Sequence, residues 1–228
     1  MRIAEIFKSV QGEGRLTGTE SVFVRSSGCN LRCAYCDTPY ASSAPEGDDL
    51  SVEEIVGRVI LFDSSHVVLT GGEPMLFAEL IPLAAELRRR EKHITIETAG
   101  TLYLPVECDL MSISPKLSNS TPSADTEPRW RRRHESNRHA PEVIDRLLTE
   151  YDYQLKFVVA TAEDCREVED YIAQFPRIDR DQVMLMPEGM DAKKLATIAE
   201  WLEPYCKEHG LRFCPRRQIE WFVPVRGK

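Results

Sequence analysis

The sequence predicts an α/β fold in which parallel strands curve into a partial, incomplete TIM-like barrel. Three observations carry this. From residue 51 to residue 214, short β-rich runs alternate with stretches whose apolar positions recur at helical spacing, the signature of βαβ units. Several runs stop at glycine or proline, as at Gly71-Gly72, Ser114-Pro115 and Met186-Pro187, so turns follow the strands' C-terminal ends. At 228 residues and 42% hydrophobic, the chain can build one sizeable core, and a single domain spanning 1–228 is expected. Right-handed crossovers would place the functional site at the strands' C-terminal ends.

Residues 3–7 and 21–25 read as short strands, with Gln11-Gly12-Glu13-Gly14 as a turn between them. Ser51 opens a helix over 51–60, because Ser-x-x-Glu is a capping-box signal and apolar positions 52, 55, 56, 59 and 60 share one face. A strand at 66–70 stops at Gly71-Gly72, and a helical pattern covers 76–90. Strands follow at 94–97 and 110–113, a helix at 142–150 and a strand at 154–159. A helix at 162–175, a strand at 183–186, a helix at 192–209 and a strand at 211–214 complete the alternation. The stretch 118–141 stands outside it. It is rich in Ser, Pro and Arg, with Arg129-Trp130-Arg131-Arg132-Arg133-His134 at its centre, and its composition predicts an irregular, solvated insertion rather than a nucleic-acid or partner patch.

A net charge of −8 argues against an electrostatic grip on nucleic acid or an anionic membrane, and points to a small-molecule partner. The opening Met1-Arg2-Ile3-Ala4-Glu5-Ile6 has no long apolar region, and no run approaches the roughly 18 apolar residues of a membrane span, so a cytoplasmic location is expected. Seven cysteines, an odd number, suit reduced thiols better than a disulfide framework. Cys108, Cys165, Cys206 and Cys214 are scattered and read as ordinary core or surface thiols.

The other three are gathered. Cys29, Cys33 and Cys36 form C-x3-C-x2-C on one short loop, with aromatic Tyr35 before the last. Three thiolates so placed can hold three irons of a 4Fe-4S cube and leave the fourth iron open to a small molecule. Taken alone, C-x2-C also suits half a zinc site or a redox pair. Thr70-Gly71-Gly72-Glu73-Pro74 follows a strand, where two glycines let the backbone approach a ligand and a carboxylate suits an ammonium group. Glu97, Ser114-Pro115-Lys116 and Met186-Pro187-Glu188-Gly189 each end a later strand.

The cysteine spacing together with Gly-Gly-Glu-Pro resembles the radical S-adenosylmethionine (SAM) enzymes, whose amino and carboxylate groups of SAM chelate the open iron. With Gln11 to Gly14, Arg25, Asp37-Thr38, Ile96-Glu97-Thr98-Ala99-Gly100-Thr101 and Ser-Pro-Lys, the chain resembles the 7-carboxy-7-deazaguanine synthase family over nearly its whole length. That resemblance implies a carbon–nitrogen lyase of queuosine and 7-deazapurine precursor biosynthesis, with a radical SAM type partial barrel. It would convert 6-carboxy-5,6,7,8-tetrahydropterin to 7-carboxy-7-deazaguanine with loss of ammonia. It implies a 4Fe-4S cluster on Cys29, Cys33 and Cys36, with SAM against Tyr35, Cys36, Asp37, Gly72, Glu73, Glu97, Ser114, Pro115, Lys116 and Met186 to Gly189 (Met186, Pro187, Glu188, Gly189). Val10, Gln11, Gly12, Glu13, Arg25, Thr70 and Arg216 would meet the pterin, and the Thr38 hydroxyl would bind Mg2+. A flavodoxin-like or other one-electron reductant and a homodimer belong to the same expectation. The alternatives are a glycyl-radical-enzyme activating enzyme, which shares the cluster and Gly-Gly-Glu-Pro, and, in another class, a small iron-sulfur electron carrier or zinc-binding module. Gln11 to Gly14 and Thr38 speak against the first, and the large α/β scaffold against the second.

Overall fold

The computed structural model describes residues 1–222. Its strands in chain order are β1 (Arg2–Val10), β2 (Glu20–Ser26), β3 (Asp48–Asp49), β4 (His66–Gly71), β5 (His93–Thr98), β6 (Leu110–Ile113), β7 (Tyr153–Val159), β8 (Val183–Pro187) and β9 (Arg212–Phe213). They form one sheet in the order β3-β1-β2-β4-β5-β6-β7-β8-β9. Every neighbouring pair from β2 to β9 is parallel, as the strand and helix alternation requires. The order is linear, so the barrel stays open among the described residues.

One edge departs from the parallel expectation. β1 runs antiparallel to both β2 and β3. The connection from Val10 to Glu20 is too short for a crossover helix, which leaves an antiparallel return as the accessible geometry. β3 is only two residues long and has no sequence signal of its own.

The helices are α1 (Val52–Val59), α2 (Leu80–Arg89), α3 (Pro128–Asn137), α4 (Pro141–Glu150), α5 (Ala162–Ile172), α6 (Ala192–Glu208) and α7 (Arg217–Trp221). α1 begins with the expected capping box: the Glu54 N–H donates to Ser51 Oγ at 3.2 Å and the Ser51 N–H donates to the Glu54 carboxylate at 2.8 Å. Its Ile55, Val56 and Val59 are buried. α2 starts four residues later than the periodicity suggests, because Pro74–Leu76 forms a separate 3-10 turn that Glu73 caps through the Met75 N–H. β4 carries Val67, Val68 and Leu69, each no more than 1% exposed, which fixes the middle of the sheet inside the core. No helix among the described residues is long and apolar enough to cross a membrane.

The insertion corrects the composition-based reading. Residues 128–137 are not irregular; they form α3, with Pro128 at its first turn. Its buried residue is His134, at 0% exposure, rather than an apolar stripe. The Arg32 N–H donates to His134 Nδ1 at 3.1 Å, and His134 Nε2 lies 3.0 Å from Ser120 Oγ. Because the Ser120 hydroxyl donates to the Leu117 carbonyl at 2.6 Å, the ring is neutral and donates from Nε2. Burial favours the same neutral form by lowering the His134 pKa. Tertiary hydrogen bonds therefore stabilise a helix that its hydrophobic pattern does not announce.

Candidate active site

The C-terminal ends of β2, β4, β5, β6, β7 and β8 converge on two adjoining cavities of about 190 Å³ and 280 Å³. The smaller is lined by Cys29, Cys33 and Cys36, and the larger by the turn after β1 together with Arg25 and Thr70. Asp37, Thr38, Gly71, Gly72, Ser114, Lys116, Met186 and Arg216 lie on the wall between them and line both. The two cavities therefore adjoin across a common wall.

The three cysteines fit a cluster rather than a single ion. All seven cysteines are free thiols. Among the described residues no three of His, Cys, Asp or Glu converge on one metal position. Cys29, Cys33 and Cys36 line one cavity, and three thiolates so gathered can hold three irons of a cluster. Burial pushes the Cys29 thiol up to about 12 and raises Cys33 as well, which favours their neutral forms. The loop already holds two of the sulfurs: the Leu31 N–H donates to Cys29 Sγ at 3.4 Å, and Cys36 Sγ lies 3.1 Å from Ser42 Oγ.

Of the residues expected at SAM, Tyr35, Cys36, Asp37, Gly72, Ser114, Lys116, Met186, Glu188 and Gly189 line the cluster cavity. Gly72 must be glycine, since a Cβ there would run into the carbonyl oxygens of Ala41 and Gly28. Lys116 Nζ donates to the Ser114 carbonyl and hydroxyl, each at 2.7 Å, which folds the Ser-Pro-Lys turn onto the cavity wall. Four residues depart from that expectation. Glu73 is fully buried and lines neither cavity: it accepts from Thr98 Oγ1 at 2.9 Å, from the Ala99 N–H at 2.9 Å and from the Met75 N–H at 3.0 Å. Burial raises its pKa against those donors, and its role is to tie the end of β4 to the end of β5. Glu97 lies in the larger cavity, Pro187 lines an outer groove against α6, and Pro115 lines none.

The larger cavity collects Val10, Gln11, Gly12, Glu13, Arg25, Thr70 and Arg216, as expected of a substrate pocket. Arg25 Nε donates to Glu5 at 2.7 Å, and Tyr40 donates to the same carboxylate at 2.8 Å. Gln11 Nε2 donates to Ser21 Oγ at 2.9 Å, which anchors the turn. At the centre is an unforeseen residue, Lys156, whose side chain is 5% exposed and donates to Glu13 at 3.1 Å and to Glu97 at 3.2 Å. Burial alone would lower its pKa, but Glu97 and Glu13 outweigh that and raise it. Burial would likewise raise Glu13, yet Lys156, Arg216 and Gln218 hold it down at about 2.

The C-terminal segment closes this cavity. Arg216 donates to Glu13 at 3.1 Å, to Asp37 at 2.6 Å and to the Gly189 carbonyl at 2.6 Å, so it bridges both cavities. Gln218, also unforeseen, donates to Glu13 at 2.6 Å, and its Oε1 is buried with no partner among the described residues. The signal for Lys156 was a charge inside the otherwise apolar run Leu155-Lys156-Phe157-Val158; Gln218 had none.

Residues 23–167 match the model of the Radical SAM superfamily, and the chain belongs to that superfamily. Its sequence is 45% identical to a 7-carboxy-7-deazaguanine synthase of Rhodopirellula baltica, over 99% of this chain and 88% of the relative. It is 41% identical to one of Halobacterium salinarum, over 95% of this chain and 88% of that protein. The crystal structure of QueE from Escherichia coli shares the fold, with a TM-score of 0.69 and 23% identity over 94% of this chain and 92% of that one. The chain belongs to the 7-carboxy-7-deazaguanine synthase family.

Proposed function

We propose that the protein is a carbon–nitrogen lyase that converts 6-carboxy-5,6,7,8-tetrahydropterin to 7-carboxy-7-deazaguanine, a precursor of queuosine and other 7-deazapurines. The observation that carries this reading is the shared wall between the cysteine cavity and a second cavity rich in carboxylates and cations. Cys29, Cys33 and Cys36 would hold a 4Fe-4S cluster and leave one iron for SAM. When both are bound and the cluster is reduced, they supply a 5′-deoxyadenosyl radical, which takes hydrogen from C6 of the pterin before ring contraction and loss of ammonia.

The chain's own residues position and shield. Gly72, Ser114, Lys116, Met186, Glu188 and Gly189 would line the space that SAM takes. In the second cavity Glu13 accepts from the pterin's N–H edge, an orphaned Gln218 Oε1 supplies another acceptor, and Arg25 faces its carboxylate. Thr38 stands at the start of a 3-10 turn yet makes no side-chain cap, and lines both cavities. Its hydroxyl is thus available for Mg2+ bound also to the substrate carboxylate, a hard oxygen site of few protein ligands. A one-electron reductant of the flavodoxin type and a homodimer rest on the family resemblance alone.

Arg25→Ala separates substrate recognition from radical generation. Loss of one charge-assisted contact is expected to weaken pterin affinity by about tenfold to a hundredfold. Uncoupled SAM cleavage under strong reductant should continue at the wild-type rate. Loss of cluster and cleavage together would make Arg25 structural and remove it from the substrate pocket.

A further inference from the structure

Residues 127–138 carry five arginines against two glutamates in a chain whose net charge is −8. Arg129, Arg131, Arg132 and Arg133 are exposed. Arg129 pairs with Glu127 at 2.8 Å, whereas no ion pair among the described residues involves Arg131, Arg132 or Arg133. A helix of so little apolar content is held in place by the cysteine loop itself. Besides the Arg32–His134 bond, the Ala34 N–H donates to the Ser120 carbonyl at 3.0 Å. The Arg32 guanidinium stacks over Trp130, 3.9 Å from the ring centroid. The Trp130 and His134 face of α3 is therefore held against Arg32, and the preceding turn at Ser120 against Ala34, inside the C-x3-C-x2-C stretch where Ala34 and Cys36 reach the surface, while the arginines of α3 stay exposed.

We infer that α3 is the docking surface for an acidic, one-electron donor protein. The inference rests on the reading of the three cysteines as a cluster site, which has to accept one electron from a donor that is oxidised in the same step. That electron enters most directly through the surface nearest the cysteines, and α3 borders it. An acidic donor meets an acidic chain overall and is drawn to the exposed arginines of α3, so the charge distribution favours this orientation of approach. Unpaired guanidiniums provide forks for surface carboxylates, and partly exposed Trp130 supplies an aromatic anchor at their centre. RNA is the competing occupant of an arginine patch, and the contact of α3 with the cysteine loop favours an electron donor over it.

The test uses the anaerobically reconstituted full chain, a purified acidic flavodoxin as donor, and the double variant Arg131→Glu/Arg132→Glu, with Arg131→Gln/Arg132→Gln as the milder pair. Three quantities are measured: flavodoxin binding at low and high salt, the stopped-flow rate of donor oxidation, and pterin turnover driven by dithionite. Charge reversal should weaken flavodoxin binding by about tenfold or more at low salt and flatten its salt dependence. The Gln pair should fall between it and wild type, and dithionite-driven turnover should stay within about twofold of wild type, since Coulomb steering is not used there. Unchanged flavodoxin binding and oxidation in both variants would overturn the inference, as would loss of oligoribonucleotide binding with flavodoxin unaffected. Should the reversal variant misfold by circular dichroism, the Gln pair decides alone. Failure of the wild type to convert the pterin with dithionite would instead defeat the cluster and substrate reading, a separate outcome.

Discussion

Lys156 and Glu13 show how the larger cavity pairs the charges that it buries. Lys156 lies between Glu13 and Glu97, and removing it takes from Glu97 that cation and leaves Glu13 with Arg216 alone. Lys156→Met is expected to destabilise the fold by about 3–5 kcal/mol, read by thermal unfolding, because breaking a buried pair is costlier than never building one. The pH dependence has a definite sign. Glu13 is held at about 2, below its ordinary 4.5, so its ion pairs contribute stability that is present above 4.5 and is lost as pH falls through about 2. In Lys156→Met the burial of Glu13 is opposed by Arg216 and Gln218 alone, so its pKa rises and the acidic limb of pterin turnover should move to higher pH than in wild type. A variant profile parallel to wild type would show that Glu13 does not titrate with this partner. Thr38→Ala addresses the proposed ion: turnover should slow and its Mg2+ dependence weaken while the cluster stays intact by iron content. An unchanged Mg2+ response would return Thr38 to a passive place on the wall.

Residue-scale legibility followed local chemistry. Cys29, Cys33, Cys36, Gly72 and Lys116 are readable because spacing and backbone demand express their roles within a few positions. Glu73 was not, because its partners Thr98 and Ala99 lie on another strand and turn a ligand-like carboxylate into a tie between β4 and β5.

Among the elements, α1 and α3 stand at opposite ends of predictability. α1 declares itself through Ser51, Glu54 and an apolar face, and Ser51→Ala should cost about 1 kcal/mol in chemical denaturation by opening the capping box. A change within experimental error would mean the box adds nothing in this context. α3 has no such face; its reason for being helical is His134, bonded to a backbone N–H in the cysteine loop. His134→Ala leaves the Arg32 N–H without its acceptor and removes the ring's bond to Ser120, whose hydroxyl keeps the Leu117 carbonyl, with an expected cost of about 1–3 kcal/mol. Because the loss falls on the cluster loop, the reconstituted variant should also release iron to a chelator faster than wild type. Equal release rates at reduced thermal stability would confine His134 to holding α3.

On the scale of the molecule, the alternation of strand and helix is enough to foresee the parallel sheet from β2 to β9 and the side on which chemistry occurs. It is not enough to foresee the antiparallel edge made by β1 and β3, which depends on a connection too short for a crossover. Nor does it reveal that the C-terminal segment returns to the first turn, where Arg216 and Gln218 meet Glu13 across some 200 residues of sequence. Contacts of that separation have no local signature. They make the substrate cavity a property of the whole fold, with the cysteine cavity beside it.

The central claim is that these two cavities act on one reaction, and anaerobic turnover measures it directly. Reconstituted protein is incubated with SAM, Mg2+, dithionite and 6-carboxy-5,6,7,8-tetrahydropterin, and both 5′-deoxyadenosine and pterin products are quantified over time. The account predicts 7-carboxy-7-deazaguanine formed by wild type, with Cys29→Ala, Cys33→Ala and Cys36→Ala each losing the cluster and all product, whereas replacement of Cys108 leaves turnover intact. SAM cleavage by wild type without any conversion of this pterin would contradict it.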